Sequence, residues 1–180
     1  TPPLSLPCAS DVGKSTVFNL LTGYSQGHRW RKLIVAPNDL HRRTIELIDG
    51  QTERARAGLP SRIFAKLNAL VDPLVIEALY RASRAGVPID IVARGICALK
   101  PGVPGLSETI RVRSIIDRFL EHSRIYIFGA DDDAKVFISS ADWMQRNFFR
   151  RVEVMVPIES PALVARILRE IVPVYLSDNT

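Results

Sequence analysis

Cysteine is nearly absent. Only Cys8 and Cys97 occur in 180 residues, and two thiols make no disulfide framework, so a reducing cytoplasm is the expected compartment. Long apolar runs are missing too: none approaches the roughly 20 residues of a membrane-spanning helix, and no signal-peptide pattern opens the chain. Histidine is confined to His28, His41 and His122, and lysine supplies only 5 of the 24 basic residues. What is present is a globular composition. Hydrophobic residues at 47% and charged residues at 24% exclude disorder for the bulk of the chain. The length suits one domain with a fragment of a second, on a prior of about 150 residues per domain. A first residue of Thr1 rather than Met fits a piece of a longer protein.

The charge balance points towards anions. The net charge is +5 and 19 of the 24 cations are arginine, whose planar fork suits bidentate contact with phosphate oxygens. A generally arginine-rich proteome would give the same ratio, so composition alone leaves both explanations open.

Residues 1–12 are proline-rich and irregular, and 12–21 read as a short amphipathic helix stopped by Gly23. Apolar runs at 32–36, 62–67 and 89–93 then alternate with helical patterns. The first helix spans about 39–57 with Gly58 beyond it. The second is capped by Asp72, opened by Pro73 and ended by Gly86. This alternation predicts an α/β fold whose sheet is largely parallel and flanked by helices. A Gly/Pro loop at 100–106 leads to an expected short helix ending near Leu120. Strands at 124–128 and 135–139 form an expected hairpin, another strand spans 151–156, and a last helix opens at Ser160 and Pro161. Pro173 should kink or end that helix. Ligands of such sheets sit beyond the carboxyl ends of the strands, which singles out Asn68 and Arg94-Gly95, and the loops near His122 and after Ser139 if their strands join.

The run DVGKST invites a phosphate-loop reading, but Cys8 stands where G-x-x-x-x-G-K-[ST] requires its first glycine, and the preceding residues are no buried strand. That reading is rejected. His122-Ser123-Arg124 before one strand and Ser139-Ser140-Ala141-Asp142 after its partner resemble the H-x-K…G-S-x-N half-site of the phospholipase D superfamily. An imidazole can attack phosphorus or protonate a leaving oxygen while a fixed cation neutralises phosphate oxygens. A solvated histidine beside an unrelated turn fits the spacing equally well. Arg94 ends a strand at the presumed ligand edge, and Arg151 belongs to a cluster with Arg146 and Arg150. Lys66 and Asn68 at the end of the second strand fit either a lining of the same pocket or, the favoured reading, a structural role, and His28 and His41 are read as without partners.

Across nearly the whole chain, from about Phe18 to Asn179, the segments LLTGYS, RKLIVAP, KLNALVDP, RGICALKPGVPGLSETIRVRSI, FLEHSRIYIFG, SSADWM and RRVEV resemble the C-terminal region of the polyphosphate kinase family. The resemblance implies reversible transfer of the terminal phosphate of ATP to inorganic polyphosphate with Mg²⁺. It implies ATP/ADP and polyphosphate as partners, no nucleic acid, at most peripheral membrane association, and a homo-oligomer for the complete enzyme. It places residues 1–30 in the tail of one phospholipase D-like domain and 31–180 in a second. His122 corresponds to an acid/base histidine, and Arg94 and Arg151 to arginines that bind phosphate. Arg124 and Asp142 hold motif positions without an assigned role, and no residue is named as a metal ligand. The family's phosphohistidine lies in the preceding domain and has no counterpart here, so the isolated chain is expected to be inactive. Phe149 stands where the family usually has an acidic residue. A phospholipase D-like phosphodiesterase and a non-catalytic polyanion-binding module are the alternatives.

Overall fold

In the computed structural model, residues 32–115, 120–130 and 133–177 are described. The expected helix at 12–21, the rejected phosphate loop and His28 lie outside them. The strands are β1 (Ile34–Ala36), β2 (Ile63–Leu67), β3 (Ile89–Ala93), β4 (Ile110–Ser114), β5 (Ile125–Phe128), β6 (Lys135–Ser139) and β7 (Glu153–Pro157). The helices are α1 (Leu40–Arg56), α2 (Pro73–Arg84), the short α3 (Gln145–Phe149) and α4 (Pro161–Arg166). A π-turn at Ile167–Ile171 joins α4 to α5 (Val172–Ser177).

The strands form one sheet in the order β1-β7-β6-β5-β2-β3-β4. β2, β3 and β4 pair in parallel, whereas the β2–β5, β5–β6, β6–β7 and β7–β1 pairs are antiparallel. The expected α/β class with a mixed sheet holds, but the parallel part is confined to one end. β5, β6 and β7 add themselves to β2 as antiparallel neighbours, and β1, instead of lying beside β2, crosses to the far edge and pairs with β7. A three-residue strand carries too little register information to announce its partner.

The helix boundaries follow local chemistry. The Asp72 carboxylate accepts a hydrogen bond from the Val75 amide at 3.0 Å, and Pro73 occupies the first helical position, where a missing donor costs nothing. Gly86, at φ +89°, supplies the left-handed residue that ends α2.

Two findings depart from the sequence reading. The segment expected as a short helix ending near Leu120 contains β4: Ile110 and Val112 alternate with Arg111 and Arg113, and Ile110 is buried while Arg111 is exposed. That is a strand's period of two; residues 116–119 are outside the description. Pro173 does not end the last helix, which runs on to Ser177; the α-helical pattern gives way to the π-turn at Ile167–Ile171 just before it, the kind of local adjustment that accommodates a missing backbone donor.

The period of two also sorts β2 and β5 between two cores. Ile63, Ala65, Leu67, Tyr126 and Phe128 pack with Ile48, Val75 and Leu79 of α1 and α2. Phe64, Ile125 and Ile127 pack on the opposite face with Val164, Leu168, Val172 and Tyr175 of the C-terminal helical segment.

Candidate active site

The topology brings the carboxyl ends of β2, β3 and β6 and the starts of β5 and β7 to one edge of the sheet. There the segments after β2, β3 and β6 continue to knit together. The Gly95 amide donates to the Asn68 carbonyl at 2.9 Å, the Leu70 amide to Ile96 at 2.9 Å, and the Trp143 amide to Ala69 at 3.1 Å. Gly95 is required by this closeness, because a Cβ there would stand 2.9 Å from the Asn68 carbonyl oxygen.

Asp142 is the hub of this edge. Its Oδ1 accepts from the Asn68 amide at 2.7 Å, from Asn68 Nδ2 at 3.2 Å and from Arg124 Nε at 2.9 Å. Its Oδ2 accepts from Arg124 Nη2 at 3.0 Å. Burial works against the Asp142 carboxylate, yet Arg124 and the Asn68 amide outweigh it and hold its pKa below the usual value. Arg124 Nη2 also lies 3.4 Å from His122 Nε2. The motif positions that carried no assigned role therefore form a buried ion pair beside an exposed imidazole. Because Asp142 balances its charge, Arg124 is not a free cation, and its Nη2 stands at the outer limit of hydrogen-bond distance from the imidazole.

Arg94 reaches the same loop. Its Nη1 donates to the Glu121 carbonyl at 3.1 Å, and no carboxylate among the described residues neutralises it. Arg151 is exposed at the start of β7, 3.9 Å from Glu153 Oε1. Glu153 is already engaged by the Ser140 hydroxyl and by Asn147 Nδ2 at 2.8 Å, which leaves the Arg151 fork largely open. No hydrogen bond or ion pair joins Arg151 to His122 or Arg94. The edge thus unites His122, Arg124, Asp142 and Arg94, with Arg151 two strands away.

Sequence reasoning missed the residues on either side of His122. Glu121 Oε1 accepts from the Ser123 hydroxyl at 2.6 Å, the Ser123 amide at 3.1 Å and Lys66 Nζ at 3.2 Å. The Ser123 hydroxyl leads the forces that take the Glu121 pKa down to about 2. The available signal was Lys66 itself, a charge in a strand whose neighbours are all apolar. His41 is not partnerless: its Nε2 lies 3.1 Å from Asp72 Oδ1, and its ring packs against Phe148 and Phe149 at 4.8 and 4.9 Å. Phe149 here covers a histidine. A cavity of about 610 Å³ between the sheet and the C-terminal helical segment is lined by Arg62, Phe64, Gly129, Leu168 and Arg169, at the opposite end of the strands, and receives none of the site residues.

Comparison with known proteins matches this architecture. The family described as "Polyphosphate kinase C-terminal domain 2" covers residues 33–180. A polyphosphate kinase of Neisseria meningitidis serogroup C (strain 053442) is 56% identical over 169 residues, which are 92% of this chain and 24% of the relative. The crystal structure of polyphosphate kinase from Porphyromonas gingivalis superposes with a TM-score of 0.87 at 40% identity, over 94% of this chain and 26% of that one. Nuc, a phospholipase D family member from Salmonella typhimurium, shares the fold at a TM-score of 0.54 and 18% identity, over 76% of this chain and 88% of its own. The chain spans about a quarter of the length of the curated relatives it matches. With this fold, and with a family match over residues 33–180, the chain belongs to the polyphosphate kinase family as its second C-terminal domain, of phospholipase D-like fold.

Proposed function

We propose that this chain supplies one half of the phosphate-transfer site of an ATP–polyphosphate phosphotransferase, with residues 1–30 belonging to the preceding phospholipase D-like domain. The observation that carries the reading is the exposed His122 imidazole set against the Arg124–Asp142 pair, with the Arg94 guanidinium on the adjoining carbonyl.

In the overall reaction the bond between the γ-phosphorus and the β–γ bridging oxygen of ATP breaks, and ADP departs. A bond forms between that phosphorus and a terminal oxygen of polyphosphate. A histidine of the preceding domain holds the phosphoryl group between the two steps. His122 lends a proton to the departing oxygen in one direction and takes it back in the other, help worth about 10²–10⁴-fold. Arg94 and Arg151 bind phosphate oxygens, and their charge persists at every relevant pH.

The carboxylates at the edge do not fit a protein-held Mg²⁺. Asp142 is taken by Arg124 and Asn68, Glu121 by Lys66 and Ser123, and Glu153 by Ser140 and Asn147. Among the described residues no cluster of three metal-ligating side chains occurs. Any Mg²⁺ in this reaction is held outside these residues, and no step here is routed through it.

The test is a graft in which this chain replaces the C-terminal quarter of the N. meningitidis enzyme. The graft should elongate polyphosphate from ATP, and His122→Ala should lower its turnover by about 10²–10⁴-fold. Unchanged turnover in His122→Ala would remove the proposed role. Release of an alcohol from a phosphodiester, without elongation, would favour the phospholipase D-like alternative.

A further inference from the structure

Lys66 sits on β2 between Ala65 and Leu67, with its side chain fully buried on the face of Phe64. An ammonium in that position loses its water, and burial lowers its pKa even though Glu121 pulls the other way. Replacing a buried ion pair by apolar side chains is often neutral or stabilising, so the fold alone gives little reason for a lysine here. Its contacts suggest another. Nζ donates to Glu121 Oε1 at 3.2 Å and to the Ser123 carbonyl at 2.8 Å, the two residues that flank His122.

A second element closes on the same spot. The Tyr175 hydroxyl of α5 lies 2.9 Å from the Ser123 hydroxyl, and Lys66 Nζ stands 5.6 Å from the centre of the Tyr175 ring, within cation–π range. Arg94 meanwhile holds the Glu121 carbonyl from the β3 side. The chain on both sides of His122 is pinned, while the imidazole itself has Arg124 as its one polar partner among the described residues.

From this geometry we infer that Lys66 and Tyr175 are positioning residues for His122: through Glu121 and Ser123, β2 and the C-terminal helical segment together set where the imidazole stands. The inference rests on the reading of His122 as the acid/base of phosphate transfer. Lys66 is sealed from solvent, and neither residue is offered as a substrate contact. They act through the loop that carries the imidazole, and a displacement of about 1 Å at a reacting group can cost about 10²-fold in rate.

The experiment uses the graft enzyme and steady-state elongation kinetics. Lys66→Met keeps the stem and removes the charge; Tyr175→Phe keeps the ring and removes only the hydroxyl. Each should lower kcat, Lys66→Met by about 10–100-fold and Tyr175→Phe by less, with the polyphosphate KM unchanged. In the His122→Ala background, Lys66→Met should cause no further loss beyond about two-fold, because a residue that acts through His122 has nothing left to position. A purely structural role would instead add its full cost there.

Independent losses in the double variant, or unchanged kcat in both single variants while His122→Ala collapses turnover, would overturn the positioning role and leave the His122 reading intact. Unchanged turnover in His122→Ala itself would overturn that reading and the inference with it. If Lys66→Met fails to fold, Tyr175→Phe alone and combined with His122→Ala decides by the same criteria.

Discussion

The Arg124 guanidinium lies bidentate on the Asp142 carboxylate, with Nε to Oδ1 at 2.9 Å and Nη2 to Oδ2 at 3.0 Å. The two side chains come from the start of β5 and the end of β6, and are only 12% and 10% exposed. Asp142 also carries the Asn68 amide, so one carboxylate fixes both the cation beside His122 and the end of β2.

Removing that carboxylate should be severe. Asp142→Asn leaves a buried guanidinium without its counter-charge, and breaking a buried pair in this way costs about 3–5 kcal/mol. Urea unfolding of the variant should show a loss of that order. Arg124→Lys should not restore the parent's stability, since a point charge cannot span both oxygens.

Gly95 is constrained by proximity. In Gly95→Ala the new Cβ meets the Asn68 carbonyl oxygen at 2.9 Å, so one of the two backbones must shift and weaken the Gly95–Asn68 bond. A destabilisation of about 1–3 kcal/mol is expected. It should be accompanied by faster amide exchange at Gly95 and Leu70, measurable by hydrogen–deuterium exchange.

Glu121 sets an acid limit. Its folded pKa of about 2 lies below its ordinary 4.5, so the unfolded chain binds its proton first as the pH falls. The carboxylate's contribution to stability is complete above about 4.5 and is lost progressively towards about 2. Denaturant melts of Glu121→Gln and the parent should therefore differ most above pH 4.5 and converge as the pH falls through that window.

Much of this was legible in the sequence. Asp72, Pro73 and Gly86 marked α2 because capping and left-handed termini are decided locally, and the runs 62–67 and 89–93 read as buried strands for the same reason. The juxtaposition of His122 with Asp142 came from a motif spacing that the β5–β6 hairpin fulfils. β4 was missed although Ile110, Arg111, Val112 and Arg113 alternate, because five residues after a Gly/Pro loop give a weak periodic signal. The far-edge place of β1 and the burial of Lys66 under Tyr175 depend on contacts 109 or more residues apart, and no local pattern carries them.

Arg94 and Arg151 should each contribute to polyphosphate affinity. Charge-assisted contacts are worth about 1.5–3 kcal/mol where partly shielded. Arg94→Ala, whose side chain is the more enclosed, should weaken binding of a short polyphosphate more than Arg151→Ala does in calorimetric titration. Equal affinity of both variants and the parent would remove the arginines from the phosphate path.

The most direct measurement is where phosphate resides during transfer. The graft enzyme is incubated with γ-labelled ATP, quenched under conditions that preserve phosphohistidine, and mapped by mass spectrometry. Acid-labile phosphate is expected on a histidine of the preceding domain, in the parent and in His122→Ala alike, with slower formation in the variant because proton-transfer help of about 10²–10⁴-fold is gone. Phosphate on His122 and nowhere else, abolished by His122→Ala, would contradict the acid/base role and make this half of the site the nucleophilic one.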